Sequence, residues 1–272
     1  MRGTVYDSAP EIARPLRFAQ AAWSDLRESP RIGQRLFSSS LRGRARRSLL
    51  GYLWLLIPPA AATAMCVYLN SLGIIAVGET QLPYPLHVLS GVLLWQIFAE
   101  AIHAPAQQLL AARHLISKSP LPHEALFLAG LFDVALSAAI RTILLTAAFW
   151  VFVGPTLPGP AFLAGLAAMI MLGSAIGVAA AGWVLLLEDT SHLLRLATTF
   201  WFVATPIAYP AVKSGLLAHN PVTPLLETAR SGFTGAPLVD GLLGTSAAAA
   251  LLLVIAWLLY RIARPHLVER LG

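Results

Sequence analysis

The sequence has 272 residues, of which 57% are apolar and 12% are charged. Because soluble domains are about one quarter charged, this composition argues against a soluble fold and favours an all-α polytopic membrane protein. The formal net charge of +6 reflects a basic N-terminal tail and a few C-terminal arginines beside apolar runs. This placement indicates a membrane-orientation signal, and no nucleic-acid partner is expected.

Residues 1–48 are predicted to form a cytoplasmic tail with an amphipathic helix that lies in the membrane interface. The apolar side chains of this helix recur at spacings of three and four residues, at Leu16, Ala19, Trp23 and Leu26. The alternative is that the helix packs against a partner subunit. Ser29 and Pro30 follow the repeat and predict either a stop or the cap of a new helix.

Six apolar runs are long enough to cross about 30 Å of hydrocarbon. They cover residues 49–70, 84–103, 125–153, 161–187, 195–212 and 241–260. The Lys and Arg groups outside these runs fall on one side of the membrane only if the number of spans is even and both termini are cytoplasmic. Residues 49–272 are therefore predicted to form a six-span transmembrane domain.

Residues 213–240 fit no simple loop, because short apolar stretches alternate with Lys213, Glu227, Arg230 and Asp240. This pattern favours short re-entrant helices that dip toward the membrane from its outer side. Non-helical backbone at membrane depth must be buried in protein or line a wet cavity. The alternative is a partly apolar loop that lies on the lipid surface.

Two charged residues, Asp133 and Arg141, lie inside the third predicted span. Their separation is about 12 Å along a helix and about 80° around it, so they cannot pair with each other. Charged groups in a span face a wet cavity or a partner. For Arg141 we consider a channel-facing role, a structural pairing with another span, and snorkelling to the interface.

Aromatic residues mark one face of the fifth predicted span. Phe202, Pro206 and Tyr209 recur at i, i+4 and i+7, with Trp201 beside them. An aromatic face with a hydroxyl at its edge suits the apolar faces of a sugar ring, and simple packing between helices is the alternative. The candidate substrate-channel residues are Trp95, Arg141, Trp201, Phe202 and Tyr209.

The sequence contains no recognisable catalytic or nucleotide-binding motif. There is no Gly-rich phosphate loop, no serine elbow with a histidine base, and no histidine pair with metal-ligand spacing. We therefore expect no catalytic site, metal or cofactor in this chain. Gly173 and Gly177 form a Gly-x-x-x-Gly pair that predicts close helix packing, within one chain or between two.

Several stretches together resemble a known family. They are residues 46–54 (RRSLLGYLW), 84–100 (from Tyr84 to Glu100), 114–122 (HLISKSPLP), 188–192 (EDTSH), 206–210 (PIAYP), 220–224 (NPVTP) and 265–270 (PHLVER). In this order they resemble the membrane (permease) subunit of bacterial ABC exporters for surface polysaccharides of the O-antigen, capsule or teichoic acid type, the ABC-2 type transporters.

The resemblance implies a multi-pass homodimer in the lipids of the bacterial cytoplasmic (inner) membrane that exports a lipid-linked polysaccharide. ATP and Mg²⁺ would be bound by two copies of a separate nucleotide-binding ATPase, so this chain would be a channel-forming permease and not an enzyme. A permease for drugs or small lipids is the alternative within transport. An intramembrane enzyme and a structural scaffold subunit are alternatives from other classes.

The resemblance also implies roles for two segments. Residues 107–122 would form the coupling loop that meets the ATPase, and residues 213–240 would supply gate helices on the outer side. The coupling residues are Arg113, His114, Leu115, Ile116, Lys118 and Pro122. The gate residues are Asn220, Pro221, Pro224, Glu227 and Arg230.

Overall fold

The computed structural model describes residues 15–45, 56–73, 82–116, 121–211, 215–236 and 238–269, and the regular structure in these ranges is helical throughout. The α-helices are α1 (Pro15–Ala45), α2 (Ile57–Ser71), α3 (Tyr84–Ala111), α4 (Arg113–Ile116), α5 (His123–Phe152), α6 (Pro160–Leu186), α7 (Glu188–Ala204), α8 (Val222–Thr234) and α9 (Leu242–Glu269), and a 3₁₀ helix covers Leu216–His219. The predicted all-α class is confirmed for the described residues.

Four helices are long and apolar enough to cross a membrane. They are Tyr84–Ala111, His123–Phe152, Pro160–Leu186 and Leu242–Leu267. Each has at least 26 residues, and a rise of 1.5 Å per residue makes it longer than the hydrocarbon layer of about 30 Å. The chain is therefore a polytopic helical membrane protein, and these helices correspond to the second, third, fourth and sixth predicted spans.

The first and fifth predicted spans correspond to shorter helices. α2 has 15 residues, and the residues 46–55 that precede its first turn lie outside the described part of the chain. α7 has 17 residues and ends at Ala204, where Thr205 adopts an extended conformation. A residue before proline is disfavoured in the helical region, so Pro206 explains this end. The total of six spans stays a prediction.

α3 lies at the centre of the bundle, with α5, α6 and α2 packed around it. The contact between α6 and α3 is close because Gly173 and Gly177 of α6 face the α3 backbone. A Cβ atom on Gly173 would lie 2.8 Å from the carbonyl oxygen of Phe98, and one on Gly177 would collide with the carbonyl oxygen of Ile102. The Gly-x-x-x-Gly pair thus forms a helix contact within one chain.

α1 continues through Pro30 as a single helix, so the predicted stop or new cap at this residue is wrong. Proline removes one backbone donor inside a helix, but tertiary packing holds α1 on both sides of this residue. Ser29 is fully buried, and a Cβ atom on Gly33 would lie 2.9 Å from the carbonyl oxygen of Ala125 on α5.

The apolar repeat of α1 is largely uncovered, although Leu26 also lines a cavity with Phe127 and Leu128 of α5. Leu16, Trp23 and Leu26 are all exposed on the surface of the chain, and the Arg27 guanidinium lies 4.8 Å from the centre of the Trp23 ring. This uncovered apolar surface agrees with a helix that lies on lipid or on a partner. The interfacial position of α1 stays a prediction.

Candidate functional site

Arg230 on α8 is a buried guanidinium that joins three parts of the chain. Its Nη1 donates to the carbonyl oxygen of Pro206 at 2.9 Å, and its Nη2 donates to those of Ile207 at 3.0 Å and His87 at 2.9 Å. Pro206 and Ile207 belong to the irregular segment that follows α7. Carbonyls freed by a helix end need donors when water is excluded, and Arg230 supplies them.

Three further residues complete this group, which we call the Arg230 cluster. Glu227 accepts a hydrogen bond from Arg230 Nη1 at 2.7 Å and balances its charge, while Arg230 Nε lies 3.3 Å from Ser90 Oγ. Burial lowers the pKa of the Arg230 guanidinium, and Glu227 opposes this shift. Gly91 leaves the space for the guanidinium, because a Cβ atom there would lie 2.5 Å from Nη2.

Asn220 joins the end of α7 to the start of α8. Its Nδ2 donates to the carbonyl oxygen of Ala204 at 3.1 Å and to Thr205 Oγ1 at 3.0 Å. Its Oδ1 accepts hydrogen bonds from Trp201 Nε1 and from the backbone N–H of Val222, each at 3.0 Å. Both lone pairs of this amide oxygen accept hydrogen bonds from the chain. Asn220 therefore holds the end of α7 against the start of α8.

α8 is packed into the bundle and does not lie on its surface. Most of its residues are buried, and a side chain at Gly232 would collide with the Phe162 backbone of α6. Phe233 stacks on Phe149 with ring centres 4.2 Å apart. Of the other predicted gate residues, Pro221 caps α8 and Pro224 lies in its first turn. The position of residues 213–240 relative to a bilayer stays a prediction.

Three of the predicted channel residues form an aromatic cluster between α3 and α7. The Trp95 ring centre lies 6.3 Å from that of Trp201 and 5.9 Å from that of Phe202, both in edge-to-face geometry. Phe98 joins the cluster, 5.4 Å from Trp201. Trp95 and Phe98 are buried, whereas Trp201 and Phe202 are partly exposed, so only the α7 side of the cluster is accessible.

Tyr209 does not continue the face of Trp201 and Phe202. Because α7 ends at Ala204, the predicted spacing of i, i+4 and i+7 no longer places these residues on one helical face. The Tyr209 hydroxyl donates to the carbonyl oxygen of Val203 at 3.0 Å, and its own carbonyl accepts from His87 Nε2 at 3.3 Å. The expected single face is thus wrong for Tyr209.

Arg141 on α5 forms an ion pair with Glu100 on α3. Its Nη2 lies 2.5 Å from Glu100 Oε1, and its Nη1 lies 2.9 Å from Oε2, which also accepts from Ser137 Oγ at 2.6 Å. This is the cross-span pairing among the three alternatives considered for Arg141. Glu100 lies about 140° around α3 from Trp95, so Arg141 and the aromatic cluster occupy different faces, and a channel role for either stays a prediction.

Within the predicted coupling loop, residues 107–122, α3 extends to Ala111 and α4 begins at Arg113, and the coupling role of this loop stays a prediction. Arg113, His114 and Leu115 are exposed, while Ile116 is buried against Leu109 and Leu126. Lys118 lies outside the described residues, and Pro122 precedes the first residue of α5. α4 thus presents a short exposed turn that is anchored by one apolar side chain.

A second ion cluster, which the sequence analysis missed, links α1, α5 and α9. Arg261 Nη1 lies 2.5 Å from Glu124 Oε1, and its Nη2 lies 2.8 Å from Asp25 Oδ2. Arg264 Nη1 lies 3.6 Å from Asp25, and Trp257 Nε1 donates to Glu124 at 3.3 Å. A largely apolar cavity of about 360 Å³ adjoins Glu124. The signal in the sequence was weak, since these partners are far apart in the chain.

The chain is similar to a known export permease over most of its length. No family model matches the sequence. The O-antigen export system permease protein RfbA of Myxococcus xanthus is 25% identical over 249 residues, which cover 86% of this chain and 93% of that protein. The resemblance to polysaccharide export permeases is thereby confirmed.

Proposed function

We propose that this chain, which is similar to an O-antigen export permease over most of its length, is the channel-forming permease of an ATP-driven exporter. Its substrate would be a lipid-linked polysaccharide that crosses the cytoplasmic membrane. The observation that carries the proposal is the extent of the match, 86% of this chain and 93% of the relative. Unrelated membrane proteins can share a similarity confined to one apolar span. A similarity that covers nearly the whole length of both chains supports a shared function.

The arrangement of α3 and α4 supports a mechanical role for the exposed turn. α4 follows α3 after Ala112, and the Leu115 N–H donates to the Ala112 carbonyl at 2.8 Å. An ATPase bound to Arg113 and Leu115 would therefore act on α3, the central helix. Such a partner can shift the channel only if it contacts its two states differently. ATP and Mg²⁺ would belong to that partner, in two copies on a homodimer.

The aromatic cluster and the Arg230 cluster support a glycan path. Aromatic rings offer apolar surfaces to the C–H faces of sugars without strong binding to any one position. The partly exposed Trp201 and Phe202 would provide such surfaces, and the Arg230 cluster would hold the non-helical backbone beyond them, where a re-entrant gate would lie. A permease for drugs or small lipids remains the alternative, because an aromatic face also suits those substrates.

Deletion of the gene tests the proposal. We expect loss of a surface glycan and accumulation of its lipid-linked precursor on the cytoplasmic side, both restored by the intact gene. Surface glycan would be measured by immunoblot and the precursor by extraction and mass spectrometry. A deletion strain that keeps its surface glycans and becomes sensitive to apolar drugs would support the alternative and contradict glycan export.

A further inference from the structure

One face of α3 carries four polar side chains, although most residues of this helix are buried. Gln96, Glu100, His103 and Gln107 recur at spacings of four, three and four residues, and each is at least partly exposed. At 100° per residue they fall within an arc of about 60°. We call these four residues the polar stripe. The opposite side of α3 is buried, including Phe98, Ala101, Ile102, Pro105 and Leu109.

The polar stripe does not resemble the lipid-facing surfaces of this protein. The Glu100 side chain is 37% exposed, at a point near the middle of a 28-residue helix. Large side chains exposed on α5, α6 and α9 are instead apolar, and they include Ile143, Leu163 and Leu251. Because charged groups in hydrocarbon are costly, the stripe faces water or protein and not lipid.

Polar side chains from two neighbouring helices border the stripe. On the α5 side, Asp133, Ser137 and Arg141 follow one another at intervals of four residues. Asp133 accepts from Gln108 Nε2 at 3.0 Å, and the other two bind Glu100. On the α7 side, Thr198 Oγ1 lies 3.2 Å from His103 Nε2. Polar side chains of α5 and α7 therefore adjoin the stripe, and we call the surface that they border the polar groove.

Resting on the proposed function, we propose that the polar stripe binds the hydroxyl groups of the exported glycan in a wet groove. Amide, carboxylate and imidazole groups together offer donors and acceptors, as sugar hydroxyls require. The stripe extends for about 16 Å along α3, from the middle of the helix toward α4. It begins at Gln96, at the level of Trp95 but about 100° around the helix from it, so the stripe is a surface separate from the aromatic cluster.

Thiol labelling tests whether the groove is wet. The chain has a single cysteine, Cys66, so a Cys66→Ala background can carry Gln96→Cys, His103→Cys or Gln107→Cys, with Ile143→Cys and Leu251→Cys as lipid-facing controls. The probe is the charged reagent methanethiosulfonate ethyltrimethylammonium, applied to inverted membrane vesicles. Since a thiol reacts as its thiolate, we expect stripe positions to react at least about tenfold faster than the controls.

Substitution without a cysteine tests whether the groove binds glycan. Gln96→Met and Gln107→Met keep the side-chain shape and remove the amide, and each is expected to lower export about fivefold, the equivalent of one hydrogen bond. Leu251→Ile, on the lipid-facing side, serves as the control for expression and assembly.

The outcomes separate this proposal from the proposed function. Protection of all three stripe cysteines, with cross-links between two copies, would assign the face to a subunit contact and overturn the proposal. If export requires the permease but is unchanged in both methionine variants, glycan binding by the stripe is overturned, while the proposed function still holds. A deletion strain with normal surface glycans would overturn the proposed function, and with it the glycan as the occupant.

Discussion

Arg141 and Arg230 are both buried guanidinium groups, with only 4% of each side chain exposed, yet they bind different kinds of partner. Arg141 binds the carboxylate of Glu100 and joins two continuous helices, α5 and α3. Arg230 binds one carboxylate and three backbone carbonyls, two of them in the irregular segment after α7.

The difference shows two uses of one side chain in an apolar bundle. An arginine that binds a carboxylate fixes the distance between two helices, and both helices would persist without the pair. An arginine that binds free carbonyls allows the chain to leave the helix inside the bundle, where unpaired backbone oxygens would otherwise be costly. We therefore expect loss of Arg230 to be more harmful than loss of Arg141.

Arg230→Ala should have the largest effect of the variants considered. It leaves the carbonyls of Pro206, Ile207 and His87 without this donor, at about 1–3 kcal/mol for each buried acceptor. We expect a strongly lowered melting temperature in detergent and little export. Arg230→Lys, which keeps the charge but has no fork of donors, should lie between wild type and the alanine variant. Equal melting temperatures for wild type and Arg230→Ala would show that the cluster does not hold the segment.

Glu100→Leu should have a smaller but clear effect. It leaves Arg141 buried without its carboxylate, and breaking a buried ion pair costs about 3–5 kcal/mol. The partial exposure of Glu100 screens this pair, so the lower end of that range is expected. Arg141→Leu should cost less, because Glu100 keeps Ser137 and some contact with solvent.

The double variant Glu100→Leu, Arg141→Leu separates stability from export. Since no buried charge is left, we expect its melting temperature to recover most of the loss seen in Glu100→Leu. Its export should stay low if the polar stripe binds the glycan. A double variant less stable than Glu100→Leu would mean that the pair stabilises the bundle beyond the cost of an unpaired charge.

The long apolar helices could be predicted from the sequence because a mostly apolar run of about 20 residues has few alternatives in a membrane protein. The four such helices begin and end close to the predicted spans, apart from extra turns at the ends of α3 and α9. Local rules also predicted the close contact of Gly173 and Gly177, since small residues at this spacing allow backbones to approach. They could not predict which helix would be the partner.

The features that the sequence could not decide depend on contacts between distant residues. Pro30 is a local stop signal, but burial of Ser29 and close packing of Gly33 against α5 keep α1 continuous. The ion pair of Arg141 joins residues 41 positions apart, and that of Arg261 with Glu124 joins residues 137 positions apart. Spacing within one helix excludes partners, as it did for Asp133 and Arg141, but it cannot choose among the other helices.

Gly91→Ala should have the smallest effect and sharpens the comparison, since it changes only the space beside Arg230 and Ile207. The added methyl group would lie 2.5 Å from Nη2 and 2.8 Å from the carbonyl oxygen of Ile207. Overpacking of this kind costs about 1–3 kcal/mol, so a moderately lower melting temperature is expected. Gly244→Ala on α9 is the matched control, because its methyl group would meet no atom within 4 Å and alanine favours a helix over glycine. If both variants melt alike, the guanidinium has room to shift, and the position of Arg230 is set by the carbonyls it binds and not by the absence of a side chain at Gly91.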